Sequence, residues 1–84
     1  MRLVFTQRAW EDYLYWQAND RGKLKRINLL LEATLRDPFA GIGKPESLRH
    51  ALAGYWSRRI DAEHRLVYAV AGDDLVVLQV RFHY

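Results

Sequence analysis

Residues 55–84, "YWSRRIDAEHRLVYAVAGDDLVVLQVRFHY", decide the fold. "YWSRRID" (Tyr55–Asp61) and "HRLVYAV" (His64–Val70) carry the β-branched and aromatic residues of strands. They flank Ala62-Glu63, the spacing of a hairpin. "GDD" (Gly72–Asp74) reads as a second turn and leads into "LVVLQVRFHY" (Leu75–Tyr84), a further strand. Strands joined this tightly must pair antiparallel, because a parallel pair needs a crossover of about a dozen residues or more. Side chains alternate across a strand, so Leu66, Tyr68 and Val70 share one face and Arg65, Val67 and Ala69 the other. In the last strand the same parity groups Val76, Leu78, Val80 and Phe82, and leaves Gln79, Arg81 and His83 opposite. With the first set in each strand packed under helices, Arg65 and His83 project from the open face of the sheet. Arg59 alternates with Tyr55 and Ser57 and joins them there.

Toward the N-terminus, "PFAGIGKPESLRHALAG" (Pro38–Gly54) has three glycines and two prolines and is the least regular stretch. Its apolar anchors Phe39, Ile42, Leu48 and Leu52 predict an ordered loop with a short helical turn at Leu48–Leu52. A helix is predicted from about Lys23 to Arg36, with Leu24, Ile27, Leu31 and Leu35 as its stripe, widened by Leu30 and Thr34. Asp37-Pro38 ends it, since the residue before proline is driven out of the α region. Thr6 is the predicted N-cap of an earlier helix, "QRAWEDYLYWQAN". Its stripe reads Ala9, Trp10, Tyr13, Leu14 and Gln17, with Glu11 and Asp12 facing away. "RLVF" (Arg2–Phe5) is a short strand. The sum is one α+β domain over residues 1–84, ordered β-α-α-β-β-β, with two helices on one face of a mostly antiparallel twisted sheet.

Composition narrows the functional classes. The chain has no cysteine, which excludes disulfides and thiolate metal sites and makes a reducing, cytoplasmic setting the expectation. No apolar run approaches the roughly 20 residues of a membrane span, and "MRLVFTQRAW" lacks a signal-peptide core, so no membrane partner is predicted. Thirteen Lys+Arg against ten Asp+Glu give a net charge of +3, compatible with a polyanionic partner. The arginines of "SRRI" and "EHRL" lie inside apolar runs, where a guanidinium serves planar recognition of phosphate or carboxylate. Asp61 and Glu63 are near enough to leave both partners open. There is no GK[ST] phosphate loop, no HExxH, and no ligand spacing among His50, His64 and His83, so no metal or cofactor is predicted.

The remaining polar groups are Glu46, Arg59, Arg65, Arg81, His83 and Tyr84. One reaction uses such a set without a cofactor: cleavage of RNA by its own 2′-hydroxyl. Glu46 would serve as base and His83 as acid, each a contribution of about 10²–10⁴-fold. Arg65 and Arg59 would stabilise charge at phosphorus, and Tyr84 would hold the phosphate or orient the histidine. Taken one at a time, each residue also has a plain structural reading. Glu46 would be a solvated loop carboxylate, the arginines partners of Asp61 and Glu63, and His83 a surface residue. Trp10, Trp16 and Trp56 would be core or interface residues rather than stacking platforms for bases.

"WEDYLYWQ", "LKRINLLLEAT", "PFAGIGKPESLRHALAGYWSRRIDAEHRLVYAV" and the closing "RFHY" resemble the YoeB toxins of type II toxin–antitoxin modules, members of the RelE superfamily of ribosome-dependent mRNA interferases. The resemblance spans essentially the whole chain. It implies a RelE-like fold and a toxin that enters the ribosomal A site and cleaves the exposed mRNA codon. Glu46 in "GKPESL" matches the general base, His83 in "FHY" the general acid and Arg65 in "EHRLVY" the transition-state arginine. Arg59 and Tyr84 match supporting phosphate- and base-positioning residues. Lys44, Arg49 and His50 match basic positions that engage 16S ribosomal RNA. The implied partners are the ribosome, mRNA, a second copy of the chain and a YefM-type antitoxin. A plug that occupies the A site without cleaving, and a gyrase-poisoning toxin of the same superfamily, are the competing functions. A matched acid and base, which a plug does not need, speak against the first, and the terminal His-Tyr pair speaks against the second.

Overall fold

The computed structural model describes all 84 residues. Its elements are β1 (Arg2–Phe5), α1 (Gln7–Asn19), α2 (Arg21–Arg36), β2 (Glu46–Ser47), a 3-10 turn at His50–Leu52, β3 (Trp56–Arg59), β4 (Arg65–Ala71) and β5 (Asp74–Gln79). The predicted α+β architecture is present, with one strand more than the sequence indicates. The sheet has five strands in the order β1-β5-β4-β3-β2. The β3–β4 and β4–β5 pairs are the antiparallel meander, and β1 adds to β5 in parallel, with Arg2 opposite Asp74. Their side chains make a two-pronged contact there, Nε and Nη2 of Arg2 donating to the Asp74 carboxylate at 2.7 and 2.9 Å. The strand missed in the loop is β2, whose Glu46 and Ser47 pair with Ser57 and Trp56. Two residues after a proline carry no periodicity from which a strand can be read.

Both helices start where the caps dictate. Thr6 accepts the Ala9 N–H at 3.1 Å. Asp20 closes α1 and opens α2 by accepting the Lys23 N–H at 3.1 Å, so the second helix begins at Arg21, two residues before the predicted start. The buried stripe of α2 is close to the predicted one: Ile27, Leu30, Leu31, Ala33 and Thr34 are buried, while Leu35 is exposed. That of α1 is rotated. Ala9, Asp12 and Trp16 are the buried residues, while Trp10 and Leu14 are exposed, so Asp12 faces in rather than out. Aromatic residues occupy both sides of this helix, and hydrophobicity alone cannot rank them.

The core lies between the helices and one face of the sheet: Ala9, Trp16, Ile27, Leu30 and Leu31 against Leu66, Tyr68, Leu75, Val77 and Val80. On β4 this is the predicted face. On β5 it is the opposite one, Leu75 and Val77 rather than Val76 and Leu78. The register explains the switch. Tyr68 pairs with Val77 but Val67 pairs with Gln79, so Leu78 is an extra residue in a bulge. A bulge sets two residues opposite one and inverts the alternation beyond it, which returns Val80 to the core. β5 then ends at Gln79. "VRFHY" does not continue the strand, and His83 does not reach the open face by strand parity.

Candidate active site

The helix-free face of the sheet carries the side chains that alternate with the core. Pairing aligns Glu46, Ser57, Val67 and Gln79 in one row across β2, β3, β4 and β5. Two residues along, Arg59 stands directly opposite Arg65. Neither arginine has a carboxylate within 4.0 Å; Asp61 instead pairs with Lys23 at 2.7 Å. Arg65 is 8% exposed, and its Nη1 donates to the backbone carbonyls of Asp61 and His64 at 2.8 and 3.0 Å. The guanidinium is therefore fixed at one edge by the β3–β4 turn without its charge being neutralised. Arg59 is exposed.

Asp61 organises that turn. Burial pushes its carboxyl up, but the Lys23 ammonium and the N–H groups of His64 and Glu63 more than offset this and hold it at about 2.

Glu46 lies at the mouth of a cavity of about 280 Å³ lined by Glu46, Ser47, Leu48, Arg49, His50, Leu52 and Tyr84. Glu46 and Tyr84 are 38 positions apart in sequence and border the same space. Among the predicted site residues the structure thus brings together Glu46, Arg49, His50 and Tyr84 around the cavity, and Arg59 with Arg65 on the next row. His83 contacts Tyr84, with ring centroids 4.6 Å apart and Nδ1 3.1 Å from the Tyr84 carbonyl oxygen. Lys44 is exposed two residues before Glu46 and does not line the cavity. Arg81 does not join the set. Its guanidinium lies 3.4 Å from the ring centroid of Tyr15 on α1 and 4.4 Å from that of Phe82.

Three residues other than glycine have positive φ: Lys44 at 52°, His50 at 57° and Phe82 at 67°. Such backbone is disfavoured by about 1–2 kcal/mol per residue and persists only where surroundings enforce it. All three border the candidate site: Lys44 precedes Glu46, His50 lines the cavity, and Phe82 precedes His83.

Two sets of buried groups, absent from the sequence-based candidates, hold these segments. Arg58 is fully buried on the helix side of β3. It donates to the carbonyls of Asp37, Ala40 and Ile42 at 2.6, 2.9 and 2.9 Å, and to the Tyr68 hydroxyl at 3.2 Å. Tyr68 in turn donates to the Pro38 carbonyl at 2.6 Å. Burial raises the Tyr68 hydroxyl above its ordinary range, opposed by Arg58, so it stays a donor. One arginine thereby satisfies the loop before β2, and strand parity had the signal: Arg58 alternates with Trp56 and Ile60, on the core side.

The second set clasps the tail. The Trp16 indole N–H donates to the Val80 carbonyl at 2.7 Å, and the Asp12 carboxylate accepts the Val80 N–H at 3.2 Å. Burial raises the Asp12 carboxyl, opposed by that N–H and by Arg8 and Arg81. Gln79 Nε2 donates to the Arg81 carbonyl at 3.1 Å, and the Arg65 N–H to the Phe82 carbonyl at 3.0 Å.

Two helices on a five-stranded, mostly antiparallel sheet are the fold of RelE-like toxins. Residues 5–84 match the family described as YoeB-like toxin of bacterial type II toxin-antitoxin system. The Toxin YoeB of Synechocystis is 60% identical over 84 residues, covering 100% of this chain and 98% of that protein. The Toxin YoeB of Escherichia coli K12 is 54% identical over the full length of both. Among solved structures, a YoeB/ParE toxin from Agrobacterium tumefaciens superposes with a TM-score of 0.97 at 53% identity, covering 100% of both chains. The YoeB dimer from Staphylococcus aureus gives 0.92 at 45% identity, covering 100% of this chain and 98% of that one. This chain belongs to the YoeB-like toxins of bacterial type II toxin–antitoxin systems.

Proposed function

We propose that this toxin is an endoribonuclease that cleaves mRNA in the ribosomal A site by acid–base chemistry, with the RNA 2′-hydroxyl as nucleophile. The observation that carries the reading is the meeting of Glu46 and Tyr84 at one cavity, beside two arginines whose charges no carboxylate neutralises. Glu46 removes the 2′ proton, and O2′ attacks phosphorus. The P–O5′ bond breaks, and His83 protonates the departing O5′. The products are a 2′,3′-cyclic phosphate and a free 5′-hydroxyl. Arg65 and Arg59 stabilise the phosphorane, Arg65 in an orientation already set by the carbonyls of Asp61 and His64. Tyr84 positions the nucleotide over the cavity. Lys44, Arg49 and His50 surround Glu46 with donors for 16S ribosomal RNA phosphates, which favours cleavage on the ribosome over cleavage of free RNA.

A YefM-type antitoxin and a second copy of the chain are the proposed partners. Support comes from the Staphylococcus aureus relative, whose structures are described as a YoeB dimer and a heterotetrameric YoeB-YefM complex.

The test is mapping of mRNA ends on programmed ribosomes with a vacant A site. The expected result is a cut inside the A-site codon, bearing cyclic phosphate and 5′-hydroxyl ends. An intact message under a stalled ribosome would instead favour a non-cleaving plug.

A further inference from the structure

We propose that His64 is a positioning residue that sets the path of the C-terminal His83-Tyr84 pair. The inference rests on the nuclease reading above for its effect on rate, but on geometry alone for its effect on the tail. His64 lies between the β3–β4 turn and β4, and its ring packs edge-on against Trp16, with centroids 4.8 Å apart and planes at 83°. Its Nδ1 accepts the backbone N–H of Phe82 at 2.8 Å. The next residue, Arg65, donates its own N–H to the Phe82 carbonyl at 3.0 Å. Adjacent residues of the hairpin therefore hold both backbone polar groups of one tail residue. That residue has a φ of 67°, a left-handed conformation that a phenylalanine adopts only when held there.

The grip also fixes the chemical state of the ring. A ring nitrogen that accepts an amide carries no proton, so the neutral imidazole is the Nε2–H tautomer. Nε2 lies 3.6 Å from the exposed Glu63 carboxylate. Trp16 sets the ring's tilt and also holds the Val80 carbonyl at 2.7 Å, so the tail is gripped two residues before the turn and again at it. Beyond Phe82, His83 and Tyr84 contact each other, and Tyr84 borders the Glu46 cavity. Without the acceptor at Nδ1, Phe82 relaxes toward ordinary backbone, and the two following side chains move with it. Misplacement by about 1 Å costs on the order of a hundredfold in a positioned reaction. His64 is not among the residues proposed to bind ribosomal RNA.

The variants His64→Leu and His64→Asn separate positioning from packing. Leucine keeps apolar contact with Trp16 but has no acceptor. Asparagine can place Oδ1 as many bonds from Cβ as Nδ1 is. In single-turnover cleavage on programmed ribosomes, His64→Leu should lose roughly tenfold to a hundredfold in the maximal rate with little change in the half-saturating toxin concentration. His64→Asn should recover most of that rate. Amide exchange measured by NMR should show Phe82 protected in wild type and His64→Asn, and exchanging fast in His64→Leu. Full turnover by His64→Leu, or an asparagine variant as slow as the leucine one, would overturn the proposal. Should wild type not cleave at all, the nuclease reading fails by itself. The positioning role then stands on Phe82 protection that is lost with leucine and kept with asparagine, and falls without it.

Discussion

The loop over residues 37–45 and the tail over residues 80–84 are the two irregular segments that carry the candidate site, and they are held in opposite ways. The loop is fixed from the sheet by two linked buried side chains, Arg58 and Tyr68, the latter donating to the Pro38 carbonyl. Arg58, fully buried, donates to three of its carbonyls. The tail is fixed by several elements at once: Asp12 and Trp16 from α1, Gln79 from the end of β5, and His64 and Arg65 from the hairpin. One compact buried cluster makes the loop an all-or-none feature of the folded state. A distributed grip makes the tail adjustable, since each contact can be lost while the others remain. The proposed base, the first residue of β2, thus follows directly on the rigid segment, and the proposed acid lies on the adjustable one.

The contrast breaks most sharply at Arg58. Arg58→Met should destabilise the fold by about 3–5 kcal/mol, because it leaves buried carbonyls without a donor. A urea melt is the check, and a loss below about 1 kcal/mol would mean that water replaces the guanidinium. On the tail side, Asp12→Ala should cost about 1–3 kcal/mol by leaving the Val80 N–H unpaired in the core. Asp12→Asn should cost less, since its Oδ1 still accepts. The sign at Asp12 follows from its raised carboxyl: ionisation is disfavoured in the fold, so raising pH through the folded value weakens stability, and the asparagine variant should lack that slope. Trp16→Phe should lower stability by roughly 1 kcal/mol through loss of the indole N–H bond. Its cleavage rate should fall by more than that stability loss explains.

The smallest effect is electrostatic. The Asp61 carboxyl is held at about 2 against an ordinary 3.8. Its depressed value stabilises the fold fully above about pH 4 and progressively less as pH falls toward 2. Asp61→Asn should therefore be less stable than wild type at pH 7 by roughly 1 kcal/mol, a figure kept small because solvent screens the partly exposed pair. The difference should shrink on acidification. Equal stability of the two at pH 7 would show that the Lys23 pair contributes nothing.

Much of this arrangement is legible in the residues. Thr6 and the Asp37-Pro38 stop are local signals that the structure keeps, and the turns predicted at 62–63 and 72–74 fall at 60–64 and 72–73. The arginines of β3 and β4 stand out because charge inside an apolar run has few explanations. What escapes is what depends on distant partners. The bulge at Leu78 has no composition of its own and comes from how β5 meets β4. It inverts the alternation beyond Val77, β5 ends at Gln79, and the tail reaches its place by turning at Phe82 instead of by extending a strand. Asp12 looks like a solvent-facing helix residue until Val80 arrives beside it. His64 carries no signal of its role until the tail is in place.

In the proposed mechanism Glu46 and His83 act as base and acid on one phosphodiester bond. Single-turnover A-site cleavage by wild type, Glu46→Gln, His83→Gln and the double variant tests it most directly. Each single change should slow cleavage by about 10²–10⁴-fold, and the double should be little slower than the worse single, as expected of groups acting as a unit. Cleavage at the wild-type rate by either single variant would contradict it.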